Sequence, residues 1–282
     1  MHELSGRNIL ITGGCGSIGS ELVDQVLKEE PAVVRVFDSD EAALFALQER
    51  FDEDERLRYL LGDIRDRDRL EMALEGIDVV FHAAAVKHVE LNEYNPFEAV
   101  RTNVQGTQNL VRKALDAEVD AFVTISTDKA SNPVSVMGAT KLLSERLVIA
   151  ANTYKGSRGT RFGCVRFGNV LGSRGSVVPL FSEQIRNGGP VTVTDPDMTR
   201  FIMPVEEAAG LVLDAYGRMS SGEVFVLRMP TFRVGDLAEV MVETYAPEFG
   251  HAPEAVPIDV VGARPAERVH EKLISTDESR QA

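Results

Sequence analysis

The sequence predicts an α/β fold, a doubly wound parallel sheet with a smaller C-terminal lobe, and three observations predict it. Short apolar runs alternate with longer amphipathic ones through the first half of the chain, as parallel strands joined by helices require. A glycine-rich turn joins the first apolar run to the first amphipathic one. Past Phe167 the texture shifts to Gly, Ser and Pro over 168–179.

In chain order, residues 8–12 are the first strand, and 20–28 a helix with Leu22, Val23, Val26 and Leu27 at helical spacing. Strand 33–37 is followed by helix 41–51, strand 59–61 by helix 66–74, and strand 79–81 by one long helix over 96–117. Strand 121–126, helix 138–152 and strand 162–167 complete the alternation. Shorter elements then centre on Gln184, Val193, Leu211, Val226, Val240 and Val260. Residues 1–168 are expected to form a dinucleotide-binding domain to which later segments return, and 169–282 mainly a substrate lobe. With no repeat or low-complexity linker, the two should leave a cleft at the carboxyl ends of the strands, where open sheets bind ligands.

A chain of 282 residues, 44% apolar, can bury a sizeable core. It holds no run of about eighteen apolar residues able to span a bilayer, and its first ten residues include Glu3 and Arg7, unlike a secretion signal. A cytoplasmic protein without a membrane segment is expected. The two cysteines, Cys15 and Cys164, lie in no metal-ligand spacing, so neither a metal site nor a disulfide is expected. A net charge of −14 opposes binding to nucleic acid, and a phosphorylated substrate would need local arginines.

Ile9 to Thr12 run into Gly13-Gly14-Cys15-Gly16-Ser17-Ile18-Gly19, an apolar strand, a glycine loop and the start of a helix in that order. Such a loop lets backbone N–H groups and the positive helix end meet a pyrophosphate. The second strand ends at Asp38, nineteen positions past Gly19, where a carboxylate can accept the adenosine ribose hydroxyls and repel a 2′-phosphate. NAD is therefore expected over NADP, the alternative for Asp38 being a helix cap or solvated loop residue. Asp63 and Ile64 can cradle adenine, or Asp63 can cap the next helix. Ala83 and Ala84 are small enough for a cofactor to lie close, and His82 reads as a satisfied strand-end histidine.

Thr127, Asp128 and Lys129 put a hydroxyl, a carboxylate and an amine at the mouth of the fifth strand, and Lys141 follows twelve residues later, one turn beyond Met137.

On these residues the chain resembles the extended short-chain dehydrogenase/reductases, and more closely the UDP-N-acetylglucosamine 4,6-dehydratases of polysaccharide biosynthesis. The likeness rests on the glycine loop, Ala84-Ala85-Val86-Lys87-His88-Val89, and the run from Asn95 to Thr107. It continues through Ser126-Thr127-Asp128-Lys129-Ala130, Met137-Gly138-Ala139-Thr140-Lys141, and the run from Arg166 to Ser176. Met198-Thr199-Arg200-Phe201 and Gly262-Ala263-Arg264-Pro265 close it. The resemblance implies bound NAD, a UDP-sugar substrate, a homo-oligomer and a redox-neutral loss of water. It assigns Lys129 to removing the C5 proton, Asp128 to protonating the departing C6 hydroxyl, Thr127 to hydrogen-bonding O4, and Lys141 to the nicotinamide ribose. As a base, Lys129 would need burial and neighbouring positive charge to shed its own proton. Lys87, Asn169, Arg174, Arg200 and Arg264 are the substrate-binding candidates, Arg200 and Arg264 for the diphosphate. Asn103 receives no catalytic role.

Two departures stand out. Met137 occupies a position that is tyrosine in most of the superfamily, and a thioether cannot act as a base. In the retaining branch, whose members often carry membrane spans ahead of this domain, Met stands there as well. The task of taking the O4 proton then falls to Asp128, Thr127 or a water. The usual Arg-Pro-Gly-Glu-Lys reads Arg264-Pro265-Ala266-Glu267-Arg268, and the chain stops sooner than relatives do, which leaves a short form and a fragment both open.

Overall fold

A computed structural model describes residues 4–51, 54–173, 175–220, 222–262 and 266–280. Its elements begin β1 (Asn8–Thr12), α1 (Ser17–Leu27), β2 (Val33–Asp38), α2 (Glu41–Arg50), β3 (Leu57–Leu61), α3 (Arg67–Leu74) and β4 (Val79–His82). They continue with α4 (Val89–Tyr94), α5 (Pro96–Ala99), a π-helical turn (Val100–Gly106), α6 (Thr107–Asp116), β5 (Ala121–Thr127), α7 (Val136–Tyr154) and β6 (Arg161–Phe167). Then come β7 (Asn169–Val170), α8 (Val177–Arg186), β8 (Val191–Val193), β9 (Thr199–Met203), α9 (Val205–Arg218), β10 (Val224–Val226), β11 (Thr231–Arg233), α10 (Val234–Glu248) and β12 (Ile258–Val260).

The α/β expectation holds: seven strands in the order β10-β6-β5-β4-β1-β2-β3, every neighbouring pair parallel, form the central sheet. Side chains of a strand alternate between faces, so Ile9 and Ile11 enter one core while Leu10 enters the other. The first core takes the apolar stripes of α1, α2 and α9, and the second those of α3, α6 and α7. Helices on both faces explain why these strands read as continuous apolar runs. A third cluster, built from α8, α10 and β8, forms a separate small core after β6. Strand β10, late in the sequence, pairs with β6 at the sheet edge.

The expected helix over 96–117 is corrected. It is broken into α5, the π-helical turn and α6, and α4 precedes it unforeseen. The backbone widens where Asn103 must serve several partners: its carbonyl accepts from the Thr107 hydroxyl at 2.6 Å and from the Ser144 hydroxyl. Periodicity alone cannot see such a turn, because one extra residue barely disturbs the apolar stripe.

Arg166, fully buried on β6, ties three parts of the molecule together. Its Nε donates to Glu145 of α7 at 3.0 Å and its terminal nitrogens to the same carboxylate at 2.7 Å, to Glu278 at 3.0 Å and to the Leu273 carbonyl at 2.8 Å. This guanidinium holds the Glu278 carboxyl down at about 2. Removing one partner of a buried ion pair strands the other, so Arg166→Ala should cost about 3–5 kcal/mol in chemical denaturation. With a folded value of about 2 against an ordinary 4.5, Glu278 contributes stability that is whole above pH 4.5 and lost as pH falls through 2. Glu278→Gln should flatten that part of the acid-unfolding curve.

Candidate active site

The carboxyl end of β1 turns at Gly13, whose φ of +68° favours glycine and whose missing Cβ would lie 2.5 Å from the Ala84 nitrogen. The loop therefore packs against residues 83 and 84, and α1 opens at Gly16 without a side-chain cap. A cleft of about 970 Å³ runs along this edge. Gly13, Gly16, Ser17, Ile18, Gly19, Asp38, Asp63, Ile64, Ala83, Ala84 and Lys141 all line it, as do Lys87, Thr127, Lys129, Met137 and Asn169. Asp38 accepts from the Cys15 N–H at 3.0 Å and the Asp40 N–H at 3.1 Å, which fixes its carboxylate beside the glycine loop. Its alternative as a helix cap is filled by Asp40, which accepts from the Ala43 N–H at 3.0 Å. The cap of α3 is likewise Asp66, while Asp63 is gripped by Arg65 at 2.9 and 2.5 Å, an ion pair that lowers the carboxyl's pKa.

Beneath the cleft lies a buried polar scaffold. His82 bonds the Thr12 hydroxyl at 2.7 Å and the Thr107 hydroxyl at 3.0 Å, which locks β1, β4 and α6 together. Loss of water, then the nearby Lys141 charge, pushes its pKa down to about 3. The satisfied-histidine expectation is what the structure shows. Asn103 clamps the Val86 N–H at 2.9 Å and carbonyl at 3.0 Å, and donates to Thr140 at 3.0 Å.

At the mouth of β5 the chain makes one helical turn capped by the Thr127 hydroxyl. Asp128 is fully buried; its Oδ1 accepts from Thr127 at 2.7 Å and from the Lys129 ammonium at 3.1 Å, and its Oδ2 has no partner. Lys129 also reaches Asn169 of β7 at 3.4 Å and Glu271 at 3.7 Å. The expectation of positive charge beside Lys129 is corrected: its ion-pair partners are two carboxylates. The first turn of α7 can press against this segment because Gly138 has no Cβ, which would stand 2.4 Å from the Lys129 carbonyl. That contact sets buried Met137 and, one turn on, Lys141, whose ammonium donates to the Ile125 carbonyl at 2.5 Å. Burial lowers the Lys141 pKa to about 8.

A second chamber of about 270 Å³ adjoins the cleft across Lys129 and Asn169. Arg200 lines it and donates to the carbonyls of Thr199, Arg268 and Val269 at 2.9, 3.0 and 3.2 Å. Arg174 and Arg264 lie outside the described residues. Sequence reasoning missed Glu271, Glu145 and Glu278, because a carboxylate in a polar stretch carries no signal until its distant partner is known. Among the described residues no cluster of metal-ligating side chains occurs, and no helix is long and apolar enough to cross a membrane.

The family described as polysaccharide biosynthesis protein matches residues 9–282. A protein of Methanocaldococcus jannaschii named as an uncharacterized membrane protein is 58% identical over 272 residues, 96% of this chain and 81% of that one. A UDP-N-acetylglucosamine 4,6-dehydratase (inverting) of Campylobacter jejuni is 41% identical over 275 residues, covering 97% of this chain and 79% of its own. The structure of DesIV, a dTDP-glucose 4,6-dehydratase from Streptomyces venezuelae with NAD and TYD bound, superposes with a TM-score of 0.83. The identity there is 27%, over 97% of this chain and 90% of that one.

His82 stays neutral in the fold while an unfolded histidine protonates near 6.5, so its contribution is whole above pH 6.5 and is lost as pH falls toward 3. Urea unfolding should show His82→Gln closing part of the gap in stability between pH 7.5 and pH 5. An unchanged gap would remove His82 as its source.

Proposed function

The chain belongs to the polysaccharide biosynthesis protein family, and from that premise we propose that it is an NAD-dependent 4,6-dehydratase acting on a UDP-N-acetylhexosamine. The observation that carries the reading is buried Asp128, bonded to both Thr127 and Lys129, whose own side chains line the dinucleotide cleft, Lys129 where it meets the smaller chamber. A 4-epimerase, the competing reading, never breaks the bond between C5 and its hydrogen and has no use for such a pair.

The residues present suit the dinucleotide. The uncapped start of α1 faces the cleft for the pyrophosphate, Asp38 stands fixed for the ribose hydroxyls, and Lys141 serves the second ribose. When bound, NAD supplies a reversible hydride acceptor for sugar C4, the hydride returning at C6. Thr127 is placed to receive the O4 proton and pass it to Asp128, the oxygen to which its own hydroxyl already donates at 2.7 Å. This relay stands in for the phenol that Met137 replaces. With C4 a ketone the C5 proton is acidified, and because the O4 proton has by then neutralised Asp128, one of the two carboxylates beside Lys129, the amine is the acceptor for it. Protonated Asp128 then returns its proton through the Thr127 hydroxyl to the departing C6 hydroxyl, so water leaves and the Lys129 proton goes back to C5. The count closes on the loss of one water.

Arg200, with Arg174 and Arg264, is assigned to the diphosphate, and Lys87 and Asn169 to the sugar side. In the same reading 1–168 hold the cofactor with α9 and β10 returning, and 169–282 mainly the substrate. The enzyme works in the cytoplasm as a homo-oligomer; the exposed apolar side chains of Leu91, Tyr94 and Phe97 beside the cleft support self-association.

Incubation with UDP-N-acetylglucosamine in heavy water, without added reductant, should yield a product that has lost water and carries deuterium at C5. Its C5 configuration separates retention from inversion. A C4 epimer of unchanged mass would replace this reading with the epimerase. Lys129→Ala should bind NAD normally and form no dehydrated 4-keto-6-deoxy product, by mass spectrometry.

A further inference from the structure

The segment after residue 266 crosses the rim of the site and is pinned on both sides of Glu271. On one side, the Val269 carbonyl accepts from the Thr199 N–H at 2.9 Å and His270 bonds the Thr199 hydroxyl at 2.9 Å, which fastens the segment to β9. On the other, the Leu273 carbonyl accepts from Arg166 at 2.8 Å, and Glu278 closes two more bonds to the same guanidinium. Between these anchors the Glu271 side chain, only 7% exposed, turns inward and stops 3.7 Å from the Lys129 nitrogen. Lys129 is thus met by Asp128 at 3.1 Å, Asn169 at 3.4 Å and Glu271 at 3.7 Å, three groups from three separate segments.

We propose that Glu271 is a positioning residue for Lys129, fixing its amino group over the C5 hydrogen of the sugar and stabilising the ammonium formed when that proton arrives. The proposal rests on the role of Lys129 given above. In the step concerned, the bond between C5 and hydrogen breaks, a nitrogen–hydrogen bond forms on Lys129, and the electron pair passes into the C4 ketone as an enolate. A lysine has a long, freely rotating stem, and one carboxylate fixes it in distance but not in direction. Two carboxylates from separate segments fix both. Arg200, Glu267 and Arg268 share the chamber with Lys129, and Lys87, His88 and Lys141 share the cleft. Of the described residues, only Asp128 and Glu271 form ion pairs with it.

Glu271→Gln keeps the shape and removes the charge. Its C5 exchange with heavy water, measured as a function of pH at saturating UDP-N-acetylglucosamine, should reach a plateau about tenfold lower, since misplacing a reacting group by an ångström costs up to about a hundredfold. Losing a carboxylate next to an amine favours the neutral form, so the rising limb of the profile should move to lower pH. The KM and the burst of NADH absorbance from C4 oxidation should stay as in the wild type, because neither needs Lys129. Glu271→Asp, which keeps the charge on a stem one carbon shorter, should fall between the two in plateau and limb. It serves as the test if the glutamine variant does not fold. Wild-type exchange with an unmoved limb in Glu271→Gln, or equal loss of the NADH burst, overturns the proposal. Exchange that survives in Lys129→Ala would instead overturn the role of Lys129 on which it rests.

Discussion

The buried guanidinium of Arg166 sits at the point where the sheet, the helix bearing Lys141 and the C-terminal segment meet. A charge with almost no solvent exposure must be met by charges and carbonyls of the protein itself, and Glu145, Glu278 and the Leu273 carbonyl meet it. Because the cation stands on β6 and its partners come from α7 and the C-terminal segment, satisfying it fixes three segments in relative position. The geometry of the catalytic group inherits that precision. Glu145 lies one turn past Lys141 on α7, and Leu273 lies two residues past Glu271.

A second layer of the same logic operates beneath the cofactor cleft. His82, Thr12 and Thr107 form a closed hydrogen-bonded set, and Asn103 satisfies both polar groups of the Val86 peptide. Unmade bonds at such depth cost about 1–3 kcal/mol each, so these groups define a unique arrangement of β1, β4 and the π-helical turn. Among the described residues, Oδ2 of Asp128 has no partner, and neither do the buried hydroxyls of Ser126, Ser131 and Ser176.

The electrostatic design is local. In a chain of net charge −14, an anionic ligand is held only where cations and helix dipoles are concentrated, and the cleft gathers the α1 terminus and Lys141 while Arg200 lines the adjoining chamber. In the proposed reaction the Thr127 to Asp128 hydrogen bond takes the place of a phenol at position 137, where Met137 is buried.

The strands, the glycine loop and its distance to Asp38 were legible because they depend on short-range rules: side-chain alternation, helical spacing, and the freedom of glycine at positive φ. The Thr127-Asp128-Lys129 run was legible for the same reason, its three groups being neighbours along the chain. The widened turn at 100–106, the grip of Arg65 on Asp63 and the carboxylates around Lys129 and Arg166 were not. Glu271 stands 142 residues from Lys129, and Glu278 112 residues from Arg166. Pairing across such distances is chosen by which buried charge needs an opposite one after the sheet has closed, and no local pattern records that need. Sequence by itself determined the layers and the chemistry on offer at the strand ends; tertiary structure decided which charges face each other, because only the folded interior makes an unpaired charge costly.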